Sequence, residues 1–322
     1  MGTYSQSTIT ISHLPSQQPI QTTVHEYVGE SDGPTVYVQA AQHGSEINGT
    51  EVLRRLHKEL REQVEAGRVV AVPIASPLTF DHSSYTTPRA IEEINPNMNR
   101  VWPGESDGTI HERIAARLWE YAGEADVIID LHTMSPDALS HVVVTEGDDE
   151  GLALARAFGT DLALVEPRPE EDDDEWHRRN FSGKLRVTAT QRDITCITPE
   201  LGHNTWIDES AVETGTQGVR NVLREIGILA GDPASNGTPQ LARNHLGRVT
   251  ATDSGLFVID TDIGIGETVE AGDALGTVYD PSTYEIRQEV QADRDGTLYA
   301  LTREATVIAG ETLASVALPL EQ

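Results

Sequence analysis

The sequence predicts an α/β protein: a mixed, largely parallel sheet flanked by helices, followed by a small all-β unit. Three observations carry this. Between about residues 35 and 230, short strand-like runs alternate with stretches of helical period, the pattern of parallel strands joined through helices. GDPASNGTPQ, residues 231–240, has the Gly, Pro, Ser and Asn content of a linker. Beyond it, short β-like pieces are divided by Asp and Gly turns at Gly255, Gly264, Gly266, Gly272, Gly276, Gly296 and Gly310. The expected domains are therefore 1–235 and 241–322.

In chain order, Thr8-Ile9-Thr10-Ile11 and Ile20-Gln21-Thr22-Thr23-Val24 alternate around a Pro-containing turn, which reads as a β-hairpin. Strands are expected at 35–39, 69–74, 127–131, 141–145, 162–165 and 194–198. The clearest helix follows residue 48. Val52, Leu53, Leu56, Leu60 and Val64 share one face, Asn48 or Thr50 is placed to cap the start, and Gly67 to end it. Further helices are expected near 110–122 and 211–228. The acidic run EEDDD at 170–174 reads as a solvated loop.

Charge narrows the partners. The chain has 52 acidic residues against 23 Lys plus Arg, a net charge of -29, and only Lys58 and Lys184 are lysines. Such a surface excludes nucleic acid and anionic membranes as expected partners. Acid-rich, lysine-poor composition is similar to that of cytoplasmic proteins in salt-accumulating halophiles. At about 1 M salt the Debye length is roughly 3 Å, which screens the self-repulsion. The lone cysteine, Cys196, fits a reducing cytoplasm and reads as a buried strand residue. The first residues have no basic-then-apolar leader pattern, and no apolar run approaches the roughly 20 residues a membrane span needs.

Chemistry concentrates at three strand ends. The run Thr35-Val36-Tyr37-Val38 leads into QAAQHGSE, which presents His43 and Glu46. VIIDLHT ends with His132, and ITCITPELG ends with Glu200. Ligands of open α/β sheets bind beyond the carboxyl ends of strands, so these four residues are expected to converge. Two imidazoles and a carboxylate suit catalytic zinc, with a fourth position left for water. Zinc brings the pKa of that water to about 7, and Glu200 is then available as the proton carrier. Gly44 lets the backbone turn so that both side chains of the short segment face one point. Taken singly, each residue has an ordinary alternative. His132 would do for a hydrogen-bonded core residue and Glu200 for a turn cap.

HGSEINGTE, NPNMNRVWPG at 95–104, DLHT at 130–133 and ITPELG at 197–202 together resemble the succinylglutamate desuccinylase and aspartoacylase family, within the zinc carboxypeptidase-like hydrolases. The resemblance covers roughly the first 230 residues. It implies a zinc-carboxypeptidase-like fold, one zinc ion per chain, and hydrolysis of an N-acyl amino acid or similar small amide. By position it makes His43, Glu46 and His132 the zinc ligands and Glu200 the general base. It gives Asn99 and Arg100 the grip on the substrate carboxylate, a group that a guanidinium fork matches. Arg89 falls where relatives keep an arginine that steadies the oxyanion. Arg186 and Arg192 precede Glu200 and offer a second anionic contact. Relatives carry an aspartate where this chain has Asn97. The amide oxygen can still accept a ligand N–H, but without the charge that raises ligand basicity, and Asp130 is a candidate substitute. His57, His82, His111, His141 and His203 are expected to be surface or structural residues.

DIGIGETVEAGDALGTVYD followed by VQADRDGTLYA is similar to biotinyl- and lipoyl-carrier β domains. Residues 241–322 contain no lysine to modify, so the expected role is a lid or packing partner. Two other readings stay open: a carboxypeptidase acting on peptide C-termini, and a non-catalytic metal-binding scaffold. A homo-oligomer is compatible with the sequence.

Overall fold

The structure is a computed structural model that describes residues 2–134, 137–167, 181–234, 237–243, 248–260 and 262–320. The acidic run at 170–174 lies outside the described residues. The hairpin expected at the start is β1 (Thr3–His13) against β2 (Pro19–Val28), antiparallel. There follow β3 (Ser31–Gln39), α1 (Asn48–Gln63), β4 (Ala66–Val72), α2 (Pro77–Asp81) and α3 (Ile110–Ala122). Next come β5 (Val127–Asp130), β6 (His132–Met134), β7 (His141–Thr145), α4 (Asp149–Phe158) and β8 (Leu162–Glu166). The first unit closes with α5 (Leu185–Thr190), β9 (Thr195–His203) and α6 (Glu209–Glu225).

The central strands run β2-β4-β3-β5-β9-β7-β8. The β4/β3, β3/β5, β5/β9 and β7/β8 pairs are parallel, and β2/β4 and β9/β7 are antiparallel. Period-two alternation splits the sheet's side chains between two cores. Val36, Val38, Val127, Ile129 and Ile197 face α1, α4 and α6, packing with Leu56, Leu154 and Val222. Tyr37, Val70, Ile128 and Cys196 face the other way, onto Ile114 and Leu118 of α3 and Leu185 of α5. Both faces being covered, the strands read as near-continuous apolar runs.

The ends of α1 differ from expectation. Its N-cap is Ile47, with no side-chain cap. The Asn48 amide instead donates to the carbonyls of Leu201 and His203, and Thr50 donates to the Pro73 carbonyl. Tertiary bonds have taken the groups that would otherwise cap the helix. The helix stops at Gln63, and Gly67 belongs to β4, where its positive φ of 65° brings it against Pro34.

The C-terminal residues form β10 (Gln240–Arg243), β11 (Arg248–Thr250), β12 (Gly255–Ile259), β13 (Thr268–Val269), β14 (Ala274–Tyr279), β15 (Ile286–Gln291), β16 (Gly296–Leu301), β17 (Thr306–Val307) and β18 (Thr312–Pro319). A four-stranded sheet, β15-β14-β12-β17, packs with the remaining strands around Val249, Phe257, Val278, Leu298 and Val316. β10 pairs parallel with β8 and antiparallel with β18, so the central sheet continues into this unit without a break. Among the described residues, no helix is long and apolar enough to cross a membrane.

Candidate active site

The site begins where β3 ends. The Gly44 N–H donates to the Ser84 carbonyl at 2.9 Å, and Glu46 N–H turns back onto the His43 carbonyl at 3.1 Å. Gly44 lies so close to α2 that an added Cβ would sit 1.9 Å from the Thr79 carbonyl oxygen. Its φ is not positive. Close approach of backbone, rather than a left-handed turn, is what requires glycine here. β5 and β6 bring the second imidazole. His132 opens β6 and stands opposite Glu200 in the β6/β9 pairing.

The side chains then meet. His43 Nδ1 is 2.9 Å from Glu46 Oε1, and His132 Nδ1 is 2.9 Å from Glu46 Oε2. One ligand atom from each of the three lies within 4.8 Å of the others, and all three residues are buried. The far nitrogens are also held. His43 Nε2 is 3.1 Å from Asn97 Oδ1, and His132 Nε2 is 2.9 Å from Asp130 Oδ2. When neutral with the proton on Nε2, each ring would turn its Nδ1 lone pair toward one point, the tautomer that ligates a metal. Asp130 is oriented in turn by Gln39 Nε2 at 2.8 Å, and Gln39 by the Tyr37 hydroxyl at 2.9 Å. This buried donor set, two imidazoles and one carboxylate with outer partners, fits zinc. Asn97 and Asp130 thus hold one histidine each.

The electrostatics are those of a site built around positive charge. Burial alone would raise the Glu46 carboxyl, but the His43 and His132 rings hold it at about 2. Burial pushes His132 down, yet Asp130 and Glu46 carry it well above the usual imidazole range. Glu200 goes the opposite way. Burial raises it most, His132 opposes, and the Glu46 and Asp130 charges add, for a result of about 8.

A cavity of about 240 Å³ opens onto these residues. Glu200, Asn99, Arg100 and Arg186 all line it. Asn99 spends its Oδ1 on the Leu185 N–H at 3.0 Å, so its side chain ties two wall segments together. Arg186 is buried and bonded to Glu166, and to Thr145 Oγ1 at 2.6 Å. Arg89 stands apart from these residues. It is exposed, in a loop turned back by the Ile91 N–H on the Pro88 carbonyl at 2.8 Å, and it does not line the cavity. Arg192 also lies off the cavity, against Trp119. Arg178 and Arg179, which the sequence offers as solvated residues, fall outside the described residues.

Sequence reasoning missed Tyr85, Glu166, Phe181, Lys184 and Arg248, all on the cavity wall. Tyr85 packs on His43 with ring centroids 4.0 Å apart. Glu166 is held at about 2, because the charges of Lys184 and Arg186 outweigh its burial. The signal that could have found one of them was Lys184 itself, one of two lysines in the chain. Arg248 comes from the C-terminal unit, which therefore contributes to the wall.

Residues 32–226 match the family profile described as the succinylglutamate desuccinylase/aspartoacylase catalytic domain. A relative from Halomonas elongata, named N-alpha-acetyl-L-2,4-diaminobutyric acid deacetylase, is 28% identical over 303 residues, covering 90% of this chain and 84% of its own. The crystal structure of a succinylglutamate desuccinylase/aspartoacylase from Rhodobacter sphaeroides superposes with a TM-score of 0.85 at 22% identity, covering 99% of this chain and 95% of that one. The product-bound ectoine utilization protein of Ruegeria pomeroyi gives 0.86 at 23% identity, covering 98% and 95%.

Proposed function

Because the chain belongs to the succinylglutamate desuccinylase/aspartoacylase family, we propose that it is a zinc-dependent hydrolase of the amide bond of an N-acyl amino acid. The observation that carries this is the buried His43–Glu46–His132 cluster opening onto a cavity that Glu200 also lines. Those three residues would hold the zinc, which when bound supplies an acidified water and an electrophile for the acyl carbonyl. The Glu200 carboxylate takes a proton from the attacking water and returns one to the leaving nitrogen. Arg100 binds the substrate carboxylate, and Asn99, through its bond to Leu185, keeps that stretch of wall in place. A cavity of about 240 Å³ favours a small substrate over a peptide. The Halomonas relative's named substrate supports the same class, an acylated amino acid.

Dialysis against a strong chelator should abolish cleavage of N-acetyl and N-succinyl amino acids. Adding back one equivalent of zinc should restore it, followed by release of the free amine. Full activity in metal-free protein would refute the zinc mechanism. We also read the net charge of -29 as adaptation to molar salt in a cytoplasm. The melting temperature should then rise by tens of degrees between about 0.1 and 3 M KCl, as the Debye length shrinks from about 10 Å to below 3 Å. A flat melting temperature across that range would remove this reading.

A further inference from the structure

We propose that Glu92, which does not line the cavity, is a positioning residue that fixes His43 for the metal by anchoring the loop that carries Asn97. The inference rests on the proposed reading of His43, Glu46 and His132 as a zinc site. Glu92 is buried, although its neighbours Glu93 and Ile94 are exposed. Its carboxylate accepts three main-chain N–H groups. Oε1 takes those of Ile94 at 2.9 Å and Asn95 at 3.0 Å, and Oε2 takes that of Ile110 at 3.1 Å. Ile110 is the first residue of α3, so one side chain pins the loop to the start of that helix. The Asn95 amide adds a second tie, donating to Thr109 Oγ1 at 3.3 Å.

The anchor lies two residues from the partner of His43. Only Pro96 stands between Asn95 and Asn97, and its ring fixes its own φ. The Pro96 carbonyl accepts the Thr87 N–H at 2.9 Å. Asn97 Oδ1 then accepts the Asn99 N–H at 2.9 Å and lies 3.1 Å from His43 Nε2. Thr87 is tied as well, its hydroxyl 2.6 Å from Nε2 of His111 in the first turn of α3. Two residues before it, Tyr85 lays its ring against that of His43. The loop thus meets His43 at a ring edge and at a ring face, and its anchorage runs to the first turn of α3.

The residue type matters. A carboxylate accepts at both oxygens, whereas a side-chain amide has one acceptor oxygen and a nitrogen that only donates. Glu92→Gln therefore leaves either the Ile94 and Asn95 pair or the Ile110 N–H facing another donor. The loop must shift to relieve this, and Asn97 shifts with it. Removing an outer partner of a metal-bound histidine weakens metal binding by roughly 10- to 100-fold.

The experiment measures zinc affinity of the full chain by competition with a chromogenic chelator, alongside thermal melting. Glu92→Gln should weaken zinc binding by roughly tenfold or more. Glu112→Gln is the control for a merely structural effect. Glu112 accepts the Thr109 N–H at 2.7 Å in the capping box of the same helix, so its loss should lower the melting temperature and leave zinc affinity unchanged. In an Asn97→Ala background, Glu92→Gln should cost little further affinity, because the two act in series. Asn95→Ala removes only the tie to Thr109 and should give a smaller loss in the same direction; it decides the matter if Glu92→Gln does not fold. Unchanged affinity in Glu92→Gln, an equal loss in Glu112→Gln, or fully additive losses with Asn97→Ala overturns the inference and leaves the zinc site standing. Wild-type protein that binds no zinc overturns the site itself, and the inference with it.

Discussion

Glu200→Gln is expected to lower kcat by roughly 10²- to 10⁴-fold, the range for removing a positioned general base, while zinc content stays at one per chain. The residue sits in β9 opposite His132 and is not one of the three clustered residues His43, Glu46 and His132. Its carboxyl is held at about 8, by burial first and by the neighbouring Glu46 and Asp130 charges as well. Such a group binds a proton avidly, and a dication in the cluster would draw it back toward the ionised form. Glutamine keeps the volume and loses the proton site. Zinc titration and steady-state kinetics on the same preparation check this together. Turnover within tenfold of wild type would remove Glu200 from the mechanism.

Gly44→Ala is expected to act on the fold and the site at once. The added methyl would meet the Thr79 carbonyl oxygen at 1.9 Å, the Thr79 carbonyl carbon at 2.0 Å and the Phe80 nitrogen at 2.2 Å. All three are backbone atoms, so relief requires α2 or the His43–Glu46 loop to move. Overpacking of this kind costs about 1–3 kcal/mol and sometimes more. Displacing His43 by even about 1 Å would spoil the geometry of the proposed zinc site, which must be held to roughly 0.5 Å. The expected result is a lowered melting temperature together with loss of zinc and activity. Gly264→Ala is the control, since its nearest neighbour is the end of the Glu267 side chain at 3.4 Å. Equal behaviour of the two variants would contradict the close-approach argument.

Much of the architecture was readable because both faces of the sheet are covered and the strands announce themselves. The helix at 110–122 and the strand at 141–145 have the expected bounds. α4 was missed although its punctuation is plain, with Asp148 accepting from the Gly151 N–H at one end and Gly159 at φ 90° closing the other. Its ten residues carry too few turns for the period to stand out. In the site, His43, Glu46, His132 and Glu200 were legible because each ends or follows a strand, and strand ends share one edge of the sheet. Asp130 was legible through the two-residue period that puts it on the face of His132. Lys184 and Phe181 were not. Their place depends on hydrogen bonds to Asn99 and Trp102 some 80 residues earlier, a relation no local pattern encodes. Arg89 lies exposed on its loop. A motif position carries no information about which way a loop side chain turns.

The unbroken run of strands from β8 through β10 into β18 makes the two halves of the polypeptide mechanically inseparable. Cutting at the apparent linker would bare the main-chain N–H and C=O groups along the flank of β8 and take Arg248 out of the cavity wall. The tail is therefore part of the enzyme's own masonry, and a shortened protein ending near residue 235 would carry both an adhesive edge and a breached wall.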